Sequence, residues 1–224
     1  MKNKILIILP SRCGKADRTK NVERFIENWK LNSEELSDLC IAIDEDEHEK
    51  YTRHEGVIYD INPNVKLGPK LNLVSSKYKN DYKYIAFFVD DHVIRTKWEK
   101  EFIDYLDSKP IAIAYGNDLF QREKLPTAVC MTSNIIDTLG YMVPLNLTHM
   151  YVDNFWLDIG KELNMIKYFD HIVFEHIHPD ASKTFKDSQY EESSKFMSKD
   201  NHEYMIYIHS INKINDINKL KSLQ

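Results

Sequence analysis

The sequence contains little glycine, little proline and few cysteines. Its 224 residues include 6 Gly, 7 Pro and 3 Cys, whereas Tyr and Phe number 13 and 10. The low Gly and Pro content and the many aromatic side chains argue against a disordered chain. An odd number of cysteines without C-x-x-C spacing indicates neither a disulfide framework nor a zinc knuckle. We therefore expect a compact protein in a reducing compartment.

Long apolar runs and an excess of positive charge are also lacking. The first apolar run, Ile5–Leu9, is far shorter than the core of a signal peptide. No run approaches the roughly 18 to 20 residues needed to cross a bilayer. The chain has 30 Lys and Arg against 35 Asp and Glu, so it has no general attraction for nucleic acid. These features predict a cytoplasmic protein without membrane insertion.

Apolar runs alternate with amphipathic segments along the first half of the chain. This half is predicted to contain strands at 5–9, 40–43, 56–61, 84–89 and 111–115, and helices at about 22–29, 69–77 and 98–106. The second half is predicted to contain strands at 128–132 and 165–178, the latter broken near Phe169 and Asp170, and helices at 134–139 and 153–162. Continuous apolar strands alternating with helices predict one α/β domain whose sheet is covered by helices.

Polar clusters follow four of the predicted strands directly. They are Pro10–Arg12, Asp44–Asp46, Asp90–His92 and Gly116–Asp118. In open α/β sheets, ligands bind beyond the carboxyl ends of the strands. A single acidic cluster at such a position is usually a turn, but several at one edge indicate a site. We therefore expect the four clusters to converge.

Two adjacent carboxylates and an imidazole, Asp90, Asp91 and His92, follow the clearest central strand. Without a cation the carboxylates would repel each other, and their pKa values would rise. Oxygen and imidazole ligands suit Mn²⁺ or Mg²⁺, and such an ion can stabilise a departing diphosphate. The alternative interpretation is that an aspartate here only caps the next helix.

A histidine pair in the segment Glu175–His178 can supply a further metal ligand. Because side chains alternate along a strand, His176 and His178 are expected on the same face. The alternative is a surface strand with two solvated imidazoles.

Asp153 begins a predicted helix in the polar and aromatic segment His149–Trp156. Such segments contain groups that stack on sugars and accept protons, which makes Asp153 a candidate general base. The alternative is that Asp153 is an N-cap carboxylate accepting backbone N–H groups. A histidine in the position of His149 is more often a structural, hydrogen-bonded residue than a metal ligand. Trp156 can simply belong to the core.

Several ordered motifs together resemble inverting glycosyltransferases of the GT-A fold that are similar to glycosyltransferase family 2. They lie at 7–12, 43–46, 68–72, 88–92 and 151–156, and the likeness spans about residues 4 to 180. The pattern is most similar to small glycosyltransferase-like proteins common in bacteriophage genomes, through segments 90–98, 116–119, 125–127, 149–156 and 175–179. The resemblance implies an α/β fold with a mixed, mostly parallel sheet flanked by helices.

The resemblance also implies roles for individual residues. Those expected near the nucleotide, its ribose or its diphosphate are Pro10, Ser11, Arg12, Asp44, Lys70, Asn72 and Asp90. Asp90 and Asp91 occupy the place of the D-x-D element. His92 gives that element a D-x-H form similar to that of polypeptide N-acetylgalactosaminyltransferases. The metal ligands implied are Asp91, His92 and His178, or His176 failing His178, while Asp153 would activate the acceptor.

The implied activity is metal-dependent, inverting transfer of a sugar from a nucleoside diphosphate donor, expected to be a UDP-sugar, to a hydroxyl acceptor. Residues 1–118 would bind the nucleotide, 119–180 the acceptor, and 181–224 would form a helical tail or lid. A phage origin would suggest a modified DNA base or a virion protein as acceptor, in the host cytoplasm. The alternatives are nucleotidyl transfer and a noncatalytic protein that binds nucleotide sugars.

Overall fold

The computed structural model describes residues 1–14, 17–185 and 188–224. The strands within these residues are β1 (Lys2–Pro10), β2 (Ser37–Asp44), β3 (Val57–Asn62), β4 (Tyr82–Phe87), β5 (His92–Ile94), β6 (Ile113–Asn117), β7 (Val129–Thr132) and β8 (Ile166–His176). The α-helices are α1 (Thr19–Asn32), α2 (Leu67–Tyr78), α3 (Glu99–Leu106), α4 (Ser133–Leu139), α5 (Val152–Glu162), α6 (Ser188–Ser194), α7 (Met197–Ile208) and α8 (Ile211–Lys221).

The strands form one mostly parallel sheet in the order β3-β2-β1-β4-β7-β6-β8-β5. Strands β1 to β4 pair in parallel, and β8 is parallel to β6. Strand β7 is antiparallel to both of its neighbours, β4 and β6. Because β7 reverses direction between them, β4 and β6 point the same way. The carboxyl ends of β1, β2, β4 and β6 therefore lie at one edge, as the predicted α/β fold requires.

Strand β1 is apolar along most of its length because both faces of the sheet are covered. Ile5–Leu9 are fully buried, and successive side chains point to opposite faces. Residues 6 and 8 pack in one core layer with α2, whereas residues 5, 7 and 9 pack in the other layer with α1. The predicted strand buried on both faces and the predicted amphipathic helix after it are both confirmed.

Strand β5 has no counterpart among the predicted elements. Its three residues pair antiparallel with β8, His92 opposite His176. A segment of three residues is too short for a periodic signal, so this strand was not predicted. Helix α3 begins only at Glu99, after β5. Asp90 and Asp91 therefore do not cap that helix, which removes the alternative interpretation of this cluster.

Two positions interrupt the regular elements, and the break near Phe169 and Asp170 was predicted from the sequence. The register between β6 and β8 shifts between Phe169 and Val173, at the predicted break. Helix α4 ends at Gly140, whose φ of 85° lies in the left-handed region that glycine adopts without a Cβ clash.

Helices α7 and α8 of the C-terminal tail pack against the folded core. Tyr204 and Tyr207 of α7 and Ile217 and Leu220 of α8 are buried in the same core layer as α2. Two segments include residues outside the described part. They are the polar segment after β1, with residues 15–16, and the predicted tail, with residues 186–187. Within the described ranges, no helix has both the length and the apolar character that a membrane span requires.

Candidate active site

A cavity of about 580 Å³ lies beyond the carboxyl ends of β1 and β4. Its walls come from the segments that follow these strands, from α2, from the start of α5, from the end of β8 and from α6. This is the location at which open α/β sheets bind their ligands.

The structure brings the polar clusters together at this edge. Ser11 Oγ donates to Asp90 Oδ2 at 2.6 Å, which links the ends of β1 and β4. The Arg12 guanidinium donates to Asp44 Oδ2 at 2.6 Å, which links β1 to β2. Asp118, from the fourth cluster, accepts a hydrogen bond from Thr127 Oγ1 at 3.0 Å and lies 3.9 Å from His176 Nδ1 at the same edge. The expected convergence of the clusters is confirmed.

Asp90 and Asp91 are buried carboxylates that share one guanidinium. Arg18 Nη1 lies 2.6 Å from Asp90 Oδ1 and 3.7 Å from Asp91 Oδ2. The Tyr190 hydroxyl of α6 donates to Asp91 Oδ2. Burial raises the pKa of Asp90. Burial also acts to raise the pKa of Asp91, but the nearby His176 and Arg18 outweigh it, so that this pKa is lowered.

His92 is fully buried in β5, away from the cavity lining. Its Nδ1 accepts the backbone N–H of Val89 at 3.2 Å, and its Nε2 lies 3.4 Å from Thr127 Oγ1. Burial lowers the pKa of His92 well below its ordinary value, so the ring is neutral at physiological pH. The structure therefore does not bring His92 to the cavity with a free ring nitrogen.

His176 and His178 both line the cavity, which removes the alternative of two solvated surface imidazoles. His176 Nε2 lies 3.3 Å from Asp91 Oδ1, and its Nδ1 lies 3.9 Å from Asp118 Oδ2. Neither Asp91 Oδ1 nor His176 Nδ1 has a hydrogen-bond partner among the described residues, although both atoms are buried. The His178 ring stacks on Phe120, with centroids 5.4 Å apart.

As placed, the described residues contain no group of three or more His, Cys, Asp or Glu side chains arranged to hold a metal ion. Asp91 and His176 nevertheless present an oxygen and a nitrogen of the kind that Mn²⁺ and Mg²⁺ accept. A buried carboxylate oxygen without a hydrogen bond is costly unless another group binds it. Asp91 and His176 are therefore the residues at this edge that could hold one side of a metal ion.

Two cations flank Asp44 at the cavity wall. Arg12 binds one carboxylate oxygen, and Lys70 Nζ lies 2.5 Å from the other. Asp44 is fully buried, and Lys70 is nearly so. Burial lowers the pKa of Lys70 despite the carboxylate beside it. Because Arg12 and Lys70 line the cavity beside the half-buried Pro10, the two side chains present positive charge to a ligand.

Two of the residues predicted to lie near the nucleotide, Asn72 and the enclosed Asp44, do not line the cavity. Asn72 Oδ1 accepts the backbone N–H groups of Met142 and Val143, each at 2.9 Å. Its Nδ2 donates to the Val143 carbonyl at 2.8 Å. Asn72 therefore fixes a loop to α2 in this structure.

Asp153 lies in the first turn of α5 and lines the cavity. The N-cap of α5 is Tyr151, with a left-handed φ of 66°, so Asp153 is not the N-cap residue. Its Oδ1 accepts the N–H of Asn154 at 3.0 Å. Burial raises the pKa of Asp153 to about 6. A carboxylate with such a pKa can exchange protons near neutral pH.

His149 lines the cavity and is held by a buried carboxylate of α7. Asp200 is fully buried and accepts the backbone N–H groups of residues 148, 149 and 150 at 2.7 to 3.1 Å. The His149 ring stacks on Phe196, and burial lowers its pKa to about 4. Because the backbone N–H of His149 donates to Asp200, the residue has the structural role expected from the sequence.

Three of these residues, Arg18, Tyr190 and Asp200, were not predicted from the sequence. Arg18 lies 72 positions from Asp90, and Tyr190 lies 99 positions from Asp91. Asp200 binds backbone groups about 50 positions away. A single sequence contains no signal for pairings at such separations. Only the polar character of their segments could have suggested that they contribute to a site.

No protein-family model matches the chain, and no curated protein is similar to it in sequence. Its structure is similar to S. aureus TarS 1-349 in complex with UDP, with a TM-score of 0.54 and 11% identity over 76% of this chain. The chain spans 59% of the length of that TarS structure.

This chain matches two further solved structures over a larger share of their length. Mycobacterium tuberculosis glucosyl-3-phosphoglycerate synthase, in complex with Mn²⁺, UDP and glucosyl-3-phosphoglycerate, has a TM-score of 0.51 and 13% identity, over 78% of this chain and 72% of that one. A Leptospira borgpetersenii cytidylyltransferase has a TM-score of 0.51 and 14% identity, over 77% and 76%. Similarity at such identities shows the fold alone. The chain has the mixed α/β fold of GT-A nucleotide-diphospho-sugar transferases.

Proposed function

We propose that this protein transfers a sugar from a nucleoside diphosphate donor, a UDP-sugar, to a hydroxyl acceptor with the help of Mn²⁺ or Mg²⁺. One observation carries the proposal: Asp91, whose buried Oδ1 lies 3.3 Å from His176 Nε2, shares a cavity with Arg12, Lys70 and Asp153. The similar folds of TarS with UDP and of the mycobacterial synthase with Mn²⁺ and UDP support it at a coarse level.

Asp91 and His176 would hold the metal, with His178 beside them in the same cavity. We favour His176 over His92 because His176 lines the cavity beside Asp91, whereas His92 is fully buried and does not line it. When bound, the metal would neutralise the charge that develops on the leaving diphosphate.

The cationic wall would bind the donor phosphates. Arg12 and Lys70 can donate charge-assisted hydrogen bonds to phosphate oxygens while Asp44 holds both side chains in position. Ser11 and Asp90, joined by a hydrogen bond, would form the neighbouring surface for the nucleoside. Asn72 would support the wall from behind, through the 142–143 loop.

Asp153 would take the proton from the acceptor hydroxyl while that oxygen attacks the anomeric carbon. The bond from this carbon to the diphosphate oxygen breaks in the same displacement, so the configuration inverts. With a pKa of about 6, Asp153 is mostly ionised at neutral pH and can accept the proton.

A thermal-shift panel tests donor binding directly. UDP, CDP and GDP are each added with and without Mn²⁺ to the wild type, to Asp91→Asn and to the control Glu101→Gln, which changes an exposed side chain. At about 100 times Kd, a ligand that binds only the folded state stabilises it by about 2.7 kcal/mol. We expect a Mn²⁺-dependent shift with UDP that Asp91→Asn loses and Glu101→Gln keeps. The absence of any nucleotide shift in the wild type would contradict the proposal.

Nucleotidyl transfer is the second candidate, because the Leptospira cytidylyltransferase shares the fold. That reaction would release pyrophosphate from a nucleoside triphosphate, whereas sugar transfer releases a nucleoside diphosphate. A noncatalytic binding protein would release neither. The phage relationship, the DNA or virion acceptor, the cytoplasmic location and the division into donor and acceptor halves stay predictions from the sequence.

A further inference from the structure

A second cavity, of about 660 Å³, adjoins the first. Phe120 lines the second cavity and stacks on His178, which lines the first. Asp180 lines both cavities. A molecule bound in the second cavity is therefore next to the cavity that contains Asp153.

One wall of the second cavity is a loop that side chains hold in an unfavourable backbone conformation. Leu119 and Arg122 have φ values of 58° and 55°, in the left-handed region, although neither is glycine. Such conformations are unfavourable for residues that have a Cβ atom. Asp118 Oδ1 accepts the N–H groups of Phe120 and Arg122, and Asn117 Oδ1 accepts that of Leu119. The wall is thus fixed before any ligand binds.

A second wall of this cavity, which includes Tyr168 and Asp170, is also held by hydrogen bonds. Asp170 Oδ1 accepts from the Tyr168 hydroxyl and from Asn117 Nδ2, each at 3.1 Å. The Tyr168 ring packs on Tyr115, whose hydroxyl donates to the Glu123 carbonyl at 2.9 Å. Fixed hydrogen-bonding groups and aromatic rings therefore lie in both walls of the cavity.

The charges of the lining balance. The cationic members are Arg122, Lys124 and Lys183, and the anionic members are Glu123, Asp170 and Asp180. A surface that binds nucleic acid or another polyanion needs a surplus of positive charge, which is missing here. Sugar hydroxyls both donate and accept hydrogen bonds, so mixed donors and acceptors beside aromatic rings suit them.

We infer that the second cavity binds the acceptor as an uncharged saccharide, with Arg122 and Tyr168 among its contacts. This inference rests on the proposed sugar transfer and identifies the class of its acceptor. The saccharide would lie against Phe120 and present a hydroxyl past His178 toward Asp153.

Saccharide binding can be measured without donor or metal. The wild type is applied to an array of mono- to tetrasaccharides and, separately, to a short DNA single strand and duplex. Affinity for the best saccharide is then compared with Arg122→Asn, which tolerates the left-handed backbone, with Tyr168→Phe and with the control Lys100→Ala, an exposed residue of α3. We expect each cavity variant to weaken binding by about tenfold, as the loss of one good hydrogen bond does.

The Mn²⁺-dependent UDP shift is measured in parallel and is expected to be unchanged in all three variants. Retention of DNA but no saccharide, or saccharide binding that neither cavity variant weakens, would overturn the inference. A wild type that shows the UDP shift but binds no saccharide would also overturn it. An absent UDP shift counts against the proposed function instead, so the two failures are distinguishable.

Discussion

Asp153 is the residue on which the proposed chemistry depends most. Replacing it with Asn keeps the shape of the side chain but removes the proton acceptor. General bases contribute about 10²- to 10⁴-fold, so we expect kcat of Asp153→Asn to fall by at least about 10²-fold. The Mn²⁺-dependent UDP shift should be unchanged, because Asp153 contacts neither Asp91 nor the cationic wall. Undiminished transfer by Asp153→Asn would exclude its role as base.

The pH dependence of transfer should follow the ionisation of Asp153. Burial raises its pKa to about 6, and only the ionised form can accept a proton. We therefore expect kcat/KM to be low at about pH 5, to rise through about pH 6 and to level off above about pH 7. The rate profile of the wild type, with protein stability checked at each pH, measures this. A profile that is flat across this range would place the base elsewhere.

Asp44 is expected to matter for stability as well as for donor binding. It is fully buried between Arg12 and Lys70, so Asp44→Ala leaves the nearly buried Lys70 without its counter-charge. Breaking a buried pair in this way costs about 3 to 5 kcal/mol in the free energy of unfolding. Urea unfolding measures the change. The control Asp46→Ala removes a half-exposed partner of Arg12 and should cost no more than about 1 kcal/mol.

At the level of elements, the sequence was most informative where a segment is long and periodic. Strand β1 and helix α1 were predicted from their apolar patterns, since burial on a sheet dictates those patterns directly. Strand β5 was missed because three residues show no period. Helices α6 to α8 were predicted only as a helical tail or lid without individual bounds, since few of their positions face the core.

The same limit applies to the candidate site. Residues that directly follow long strands, such as Ser11 and Asp91, were found because the strand ends bring them to one edge. Whether His92 or His176 faces Asp91 depends on the pairing of β5 with β8, which no local pattern encodes. The position of Arg18 between two carboxylates likewise follows from tertiary packing.

The contact between α7 and the 148–150 loop gives a test at this scale. Asp200→Ala removes an acceptor that three buried or partly buried N–H groups share. Leaving such groups unsatisfied costs about 1 to 3 kcal/mol or more. We expect unfolding at lower urea and weaker UDP binding, because this loop lines the cavity. Asp104→Ala, which removes an exposed carboxylate of α3, should change neither. Unaltered stability of Asp200→Ala would contradict the assigned role.

For the whole molecule, the fold should not require the metal that the reaction needs. Two apolar layers stabilise the sheet, and Arg18 already compensates Asp90 and Asp91. We therefore expect EDTA to leave the Tm of the free protein unchanged and to abolish the rise in Tm caused by UDP. A metal that holds a fold together would instead lower the Tm of the free protein when removed. A drop in Tm on chelation without nucleotide would contradict this expectation.

The reversed strand β7 has a consequence for how specificity can diverge. In a purely parallel sheet, only the segments that follow a strand reach the edge where the ligand binds. Because β7 is antiparallel to β4 and β6, the segment that precedes β7 also lies at this edge. Thr127 in that segment contacts Asp118. Residues 118–128 thus join two neighbouring strands entirely on the ligand side. Substitutions or insertions in residues 118–128 can change which acceptor is bound without altering the strand pairing. They also leave the cationic wall at Arg12 and Lys70 unchanged.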